Sequence, residues 1–593
     1  MQPAALFVCA SALSSAADWK PADNPLTTPW TGRVTAGQAL PEYPRPQLVR
    51  ARWINLNGLW DYAIRPKAED RPAQFEGKLL VPFAVESALS GVKRPLTPEE
   101  RLWYRRGFTA RPARGTRLLL HFGAVDWRAE VFVNGKATGR HEGGYDAFTF
   151  DITDALNPGA EQELVVAVWD PTDSALQPRG KQVLNPNGIW YTAVSGIWQT
   201  VWLEPVPAAY IREIVMTPDI DAHQLRLTVR APDEADFTAT ARLRGKTVGR
   251  ITGKSSAMVN LPLSQTELWS PDSPTLYDLE IALKSGDSVK SYFGMRSVEA
   301  RADAAGNNRI FLNHQPLFQI GPLDQGWWPD GLYTAPTDEA LRSDIDTLKK
   351  LGFNMARKHV KVEPARWYYW CDKLGFLVWQ DMPSAMTHTP PSGVRKGAPE
   401  DAQFPPQIAA SWERELKSVI HGLINSPSVI VWVPFNEGWG QHVTNDVLQM
   451  VKSLDPTRLV DGPSGWEDRG WGDLKDMHSY PGPDMFPVMT RRVSVLGEFG
   501  GLGLPLAGHL WWDKRNWGYQ TFEDRAALQA GYEGLLEKLA PLVQQGLAAA
   551  IYTQTTDVEG EINGLMTYDR KVVKFDAAKL AELHRRLMQG VPR

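Results

Sequence analysis

From about residue 50 to 206 the chain alternates apolar and polar positions in short runs broken by Gly, Pro and Asn, as in Ala129-Glu-Val-Phe-Val-Asn134-Gly135 and Glu163-Leu-Val-Val-Ala-Val-Trp169. A period of two puts every second side chain on one face, which predicts half-buried strands, and Asn134-Gly135 between two such runs predicts a type I′ hairpin. The predicted unit, 18–206, is a jelly-roll-like β-sandwich. Pro205 and Pro207 interrupt the pattern, and a second all-β stretch fills 207–300, with runs such as Gln224-Leu-Arg-Leu-Thr-Val-Arg230. At roughly 95 residues it has the size of an immunoglobulin-like sandwich, without that fold's cysteine pair. From about residue 310 apolar runs alternate with helical stretches. The strand candidates are 317–321, 354–358, 377–380, 429–433, 459–461, 476–478, 493–496 and 548–552, and the helical ones include 338–351, 365–374, 411–425 and 525–544. This alternation predicts a parallel sheet wrapped by helices, a (β/α)8 TIM barrel over 301–593.

A length of 593 residues is too great for one core and fits about three domains. The apolar and charged fractions, 43% and 22%, are those of an ordinary globular protein. The 24 tryptophans are unusual: indole faces pack on the C–H faces of sugar rings, although any one Trp is as readily a core residue. A net charge of -4 with no basic stripe speaks against nucleic acid, and no later stretch is long enough to span a bilayer. Residues 1–17 form a short apolar run ending in small residues, which predicts an export signal and a periplasmic or secreted protein. Of the two cysteines, Cys9 lies in that run, and Cys371 reads as a small buried residue.

In a barrel the residues after each apolar run form the catalytic rim. Here they are polar: Arg357-Lys358-His359 after the second strand, Gln380-Asp381 after the third, Asn436-Glu437 after the fourth, His478-Ser-Tyr480 after the sixth, Glu498 after the seventh and Gln554-Thr-Thr-Asp557 after the eighth. The ordinary reading of an acidic residue is a solvated surface charge. It fails for Glu437, which follows the buried run Val-Ile-Val-Trp-Val-Pro-Phe, and for Glu498, set among Gly497, Gly500 and Gly501. Two carboxylates across a barrel mouth are what glycosidic hydrolysis needs, one to protonate the leaving oxygen and one to attack the anomeric carbon. No HExxH or CxxC spacing accompanies His359 or His478, so no metal is expected and hydrogen bonding to a sugar is the preferred role. No Gly-x-Ser-x-Gly elbow or Gly-rich phosphate loop appears, and no cofactor is expected. The long connections 387–407 and 501–523, the latter with Trp511, Trp512 and Trp517, are expected to wall in a pocket that favours attack at a chain end.

The domain order and these motifs resemble glycoside hydrolase family 2, the β-galactosidases, β-glucuronidases and β-mannosidases. The likeness runs over nearly the whole chain, through Leu56-Asn-Gly-Leu-Trp60, Gly196-Ile-Trp198, Leu268-Trp-Ser-Pro and Phe293-Gly-Met-Arg296 to Asn436-Glu437 and Leu496-Gly-Glu498-Phe-Gly. The resemblance implies a retaining, exo-acting glycosidase with Glu498 as nucleophile and Glu437 as acid/base. It also implies substrate-binding roles for Asn436 and Tyr480, to which the strand ends and the aromatic connection add His359, Asp324, Asp381, His478, Trp511, Gln554 and Asp557 as expected members of the substrate site. Family glucuronidases carry Asn-x-Lys where this chain has Glu561-Ile562-Asn563, so a neutral sugar is expected, a β-galactoside first. The segment Asp324-Gln-Gly-Trp-Trp328 departs from the common galactosidase version and leaves β-galactofuranosides and α-L-arabinofuranosides open. A carbohydrate-binding protein without catalysis is the alternative of another class. The family's habits leave a homo-oligomer open, with no interface legible in the chain.

Overall fold

The computed structural model describes residues 19–111, 113–384 and 401–590, so the expected signal at 1–17 and most of the connection 387–407 lie outside the described residues. The first unit stacks a six-stranded antiparallel sheet, which includes Gly58–Pro66, Glu100–Thr109 and Glu161–Trp169, on a four-stranded one that includes Thr116–Phe122 and Val201–Pro207. Trp60, Leu102, Tyr104, Leu120, Val131 and Val166 fill the space between them. Asn134 and Gly135, both at positive φ (51° and 78°), turn the chain between Arg128–Val133 and Lys136–Glu142, as a type I′ hairpin requires. The second unit packs a three-stranded sheet against a four-stranded one around Leu225, Phe237, Leu261, Leu279 and Phe293. Its strand Asp236–Leu243 alternates inward and outward side chains without interruption, because one face meets the core and the other meets water.

The third unit is a parallel barrel of eight strands: β1 (Gln319–Asp324), β2 (Met355–Lys358), β3 (Leu377–Asp381), β4 (Val429–Val433), β5 (Leu459–Val460), β6 (Leu474–Ser479), β7 (Val493–Gly500) and β8 (Ala549–Thr553). They are hydrogen-bonded in the order 5-4-3-2-1-8-7-6. The seam between β5 and β6 is tied by the connecting chain, where the Asp473 N–H reaches the Val460 carbonyl at 2.8 Å. Strands such as Val-Ile-Val-Trp-Val of β4 are buried at every position because both faces are covered, which is why they lack the period of two. Trp379, Val431, Val495 and Ile551 fill the interior, and Ile310 and Leu312 of the antiparallel strand Asn308–Leu312 plug its base.

Helices wrap the outside: α1 (Asp338–Lys350), α2 (Ala365–Leu374), α3 (Pro406–Leu423), α4 (Thr444–Leu454), α5 (Arg525–Gln545) and α6 (Ala577–Gln589). The Thr337 hydroxyl caps α1, with Asp338 and Glu339 in its first turn and Lys349 and Lys350 in its last, each at the end where the helix dipole favours that charge. Helix α3 begins five residues before the expected 411, since Pro406 at its first position needs no hydrogen-bond partner.

The sandwich is seated on the barrel through a buried seam. Glu415 of α3 accepts the Tyr145 N–H at 2.9 Å, and the Tyr145 and Tyr333 hydroxyls meet at 3.1 Å. Burial, with the nearby Asp146, pushes the Glu415 carboxyl up to about 8 from 4.5. A carboxyl protonated in the folded chain and ionised in the unfolded one contributes stability below pH 4.5 that is lost as pH rises toward 8. Glu415→Gln, which cannot ionise, is therefore expected to flatten the fall of melting temperature between pH 5 and 8. Parallel pH-Tm curves for the variant and the parent chain would refute this.

Candidate active site

At the C-terminal mouth of the barrel a small pocket is lined by Lys181, Ile189, Leu323, Gln325, His359, Asn436, Glu437, Trp439, Tyr480, Glu498, Tyr519, Thr553 and Glu561. Two of its lining residues, Lys181 and Ile189, come from the sandwich. The loop after Trp169 lies over the mouth, where the Tyr191 hydroxyl bonds the Glu561 carboxylate and the Thr192 N–H donates to Glu559 at 2.9 Å.

Glu498 lies within β7 rather than after it, because the strand continues to Gly500. The register of β7 against β8 breaks between Leu496 and Phe499, a bulge that re-aims the side chain into the mouth. Gly497 makes this affordable: a Cβ there would stand 2.0 Å from Asp476 Oδ2. Glu437 follows β4 at φ 52°, a left-handed conformation costly for Glu, and is held there by its N–H to the Ser464 carbonyl (2.9 Å).

Glu437, His478 and Glu498 each present an atom within 4.8 Å of the other two. His478 Nδ1 lies 2.7 Å from Glu437 Oε1 and 3.4 Å from Glu498 Oε2, and its Nε2 is 2.8 Å from the Ser464 hydroxyl. Arg357, fully buried, supports the pair from beneath. It grips Asp381 through two hydrogen bonds (3.0 and 2.9 Å) and donates to Asn436 Oδ1 (2.7 Å) and Glu498 Oε1 (3.2 Å). Tyr480, stacked on Tyr519 at 3.8 Å, donates its hydroxyl to Glu498 Oε2 at 2.6 Å. Burial alone raises the Glu498 carboxyl, but His478, Arg357 and the Tyr480 hydrogen bond outweigh it and hold it down at about 2. The Asn436 side-chain nitrogen is buried at the pocket without a hydrogen-bond partner, a donor left for something that enters.

The structure brings Glu437, Glu498, Asn436, His359, His478 and Tyr480 together and places the remaining candidates outside the pocket lining. Asp381 stands behind the wall, orienting Arg357 and accepting from His359 Nδ1 at 3.0 Å. Asp324 is turned to Lys358 (2.8 Å) and the Gly326 N–H, so its neighbours Leu323 and Gln325 line the pocket instead. Gln554 donates to Asn563 (2.7 Å), and Asp557 is committed to Lys574 (2.6 Å) and the Gly564 N–H. Trp511 packs edge-on against Tyr568, away from the mouth, and from the connection 501–523 it is Tyr519 that reaches the pocket. Lys181, Trp439 and Tyr519 lie off the barrel strands, in loops whose path depends on tertiary packing, whereas Gln325 directly follows β1, where reading the strand ends could have found it.

The fold and the mouth define a sandwich-braced (β/α)8 protein with two acidic side chains opposed at the ends of β4 and β7. Residues 310–479 match "Glycosyl hydrolases family 2, TIM barrel domain", 209–296 match "Glycosyl hydrolases family 2", and 92–194 match "Glycosyl hydrolase 2 galactose-binding domain-like". The chain belongs to glycosyl hydrolases family 2. It is 26% identical over 409 residues to a beta-galactosidase of Thermoanaerobacter pseudethanolicus (64% of this chain, 50% of that protein). It is also 26% identical over 393 residues to a beta-glucuronidase of Bacteroides fragilis (60% and 53%). The chain thus spans about half the length of these curated relatives. The crystal structure of Ruminococcus gnavus beta-glucuronidase superposes with a TM-score of 0.73, over 93% of this chain and 100% of that one, and at 18% identity it speaks for the fold alone.

Proposed function

We propose that this protein is an exo-acting, retaining glycosidase that removes a neutral terminal sugar, a β-galactoside first. Glu498 attacks the anomeric carbon while Glu437 gives its proton to the departing aglycone oxygen. Glu437 then takes a proton from water, which attacks the same carbon and frees Glu498, so one glycoside and one water become one sugar and one alcohol. The approach of the two side chains to within 4.8 Å carries this reading: retaining pairs stand about 5 to 5.5 Å apart, whereas inverting pairs leave about 6.5 to 9.5 Å for a water. Arg357 and Tyr480 keep Glu498 ionised and aimed, and the free Asn436 amide faces the place of the sugar's 2-hydroxyl.

The test is hydrolysis of aryl β-galactoside, β-glucoside, β-glucuronide, β-galactofuranoside and α-L-arabinofuranoside, with the anomer of the first-formed sugar read by proton NMR. Turnover of a neutral glycoside with retained configuration is expected. An inverted product would refute the mechanism, and a preference for the glucuronide would refute the neutral glycone. A furanoside as best substrate would replace galactopyranose but leave the two carboxylates in their roles.

A further inference from the structure

One lining residue has no part in that chemistry. Lys181 comes from the sandwich, on the loop after Trp169, and is 5% exposed. Its ammonium has no hydrogen-bond or ion-pair partner among the described residues, although it stands near the ring faces of Tyr191 (5.8 Å) and Trp439 (6.0 Å). A buried cation left unpaired is costly and is tolerated where something else completes it. The same pocket is lined by Glu561, 2% exposed, one oxygen bonded by the Tyr191 hydroxyl and the other by Asn563 Nδ2 at 3.0 Å. Those donors hold the carboxylate in place and leave lone pairs for a further hydrogen bond.

We infer that Lys181 and Glu561 form a specificity clamp, a pure donor and a pure acceptor that together read adjacent hydroxyls of a neutral glycone. The inference rests on the glycosidase reading and deepens it. The charge around the mouth decides between a hydroxyl and an anion. Even with Glu437 carrying the proton it donates as acid, the carboxylates of Glu498, Asp381, Asp476 and Glu561 outnumber the cations of Arg357, Lys181 and His478. A uronate carboxylate would add a further negative charge beside Glu561. A hydroxyl adds none, and it both accepts from Lys181 and donates to Glu561. Burial lowers the affinity of Lys181 for its proton, while Glu561, Glu498 and Glu437 favour the charged form.

The experiment compares the full chain with Lys181→Met, which keeps the aliphatic stem, and Lys181→Arg, which keeps the charge. Binding of galactose, arabinose, glucose and glucuronate is followed by calorimetry, alongside turnover of the best aryl glycoside. Lys181→Met is expected to weaken the preferred sugar and raise KM roughly 10- to 100-fold, the size of one charge-assisted hydrogen bond. The kcat should change much less, the melting temperature should hold, and Lys181→Arg should recover part of the loss. Unchanged affinity and KM in Lys181→Met, or tighter binding of glucuronate than of every neutral sugar, would overturn the clamp. Sugar binding that depends on Lys181 without any aglycone release would support the clamp and sink the glycosidase reading alone. Failure of the parent chain to bind any sugar would overturn both.

Discussion

Glu498→Gly is expected to lower kcat for the best aryl glycoside by roughly 10⁵-fold, about 7 kcal/mol of barrier, because no covalent intermediate can form. The fold should survive the change: Glu498 sits at a bulge among glycines, and its loss leaves Arg357 bound to Asp381 and Asn436. The cavity left by the side chain opens toward the anomeric carbon. External azide or formate should enter it and restore product, of inverted configuration, since attack now occurs once. Glu437→Ala should behave differently. For a substrate with a good leaving group the first step needs no acid, so azide should accelerate the second step and yield a glycosyl azide of retained configuration. General acid–base assistance is worth about 10² to 10⁴-fold, so the loss on a poor leaving group should fall in that range. Retained product from the rescued Glu498→Gly variant, or inverted product from Glu437→Ala, would exchange the two roles.

Arg357→Met is expected to damage stability and activity together. Its guanidinium is fully buried and holds Asp381 and Glu498 at once, so removing it leaves two carboxylates in the barrel mouth without their cation. Breaking a buried pair from one side costs about 3 to 5 kcal/mol. At about 2 °C per kcal/mol for a domain of this size, the barrel transition should fall by roughly 5 to 10 °C. The kinetic signature is separate and has a definite sign. Arg357 joins His478 and the Tyr480 hydrogen bond in holding the Glu498 carboxyl down at about 2 against burial, and without it the carboxyl rises. The nucleophile must be ionised, so the acidic limb of kcat/KM should move to higher pH. Arg357→Lys should not restore the parent profile, since an ammonium cannot make the paired bonds to Asp381 while reaching Asn436 and Glu498. An unshifted acidic limb in a folded Arg357→Met protein would remove Arg357 from the control of the nucleophile.

The two carboxylates were legible in the chain, Glu437 because it follows a buried apolar run and Glu498 because it is set among Gly497, Gly500 and Gly501. That signal is local: Val-Ile-Val-Trp-Val delivers Asn436-Glu437 wherever the rest of the protein lies. It also misled. Asp324, Gln554 and Asp557 end or follow strands of the same kind, yet each turns to a neighbour that sequence spacing does not reveal, Lys358, Asn563 and Lys574 in turn. Trp511 lies in a long aromatic connection of the kind expected to wall a sugar site, but it packs edge-on against Tyr568 and does not line the pocket.

Periodicity and strand-end chemistry by themselves determined the architecture and the opposed acids, since a strand's burial pattern and a rim residue's exposure depend on residues a few positions away. Only the tertiary structure decided how the acids are tuned and what closes the pocket. Arg357 acts on Glu498 from 141 positions away, and the Tyr191 hydroxyl bonds Glu561 from 370. Such contacts depend on how a sandwich loop settles over a barrel, through shape and desolvation that no spacing in the chain encodes.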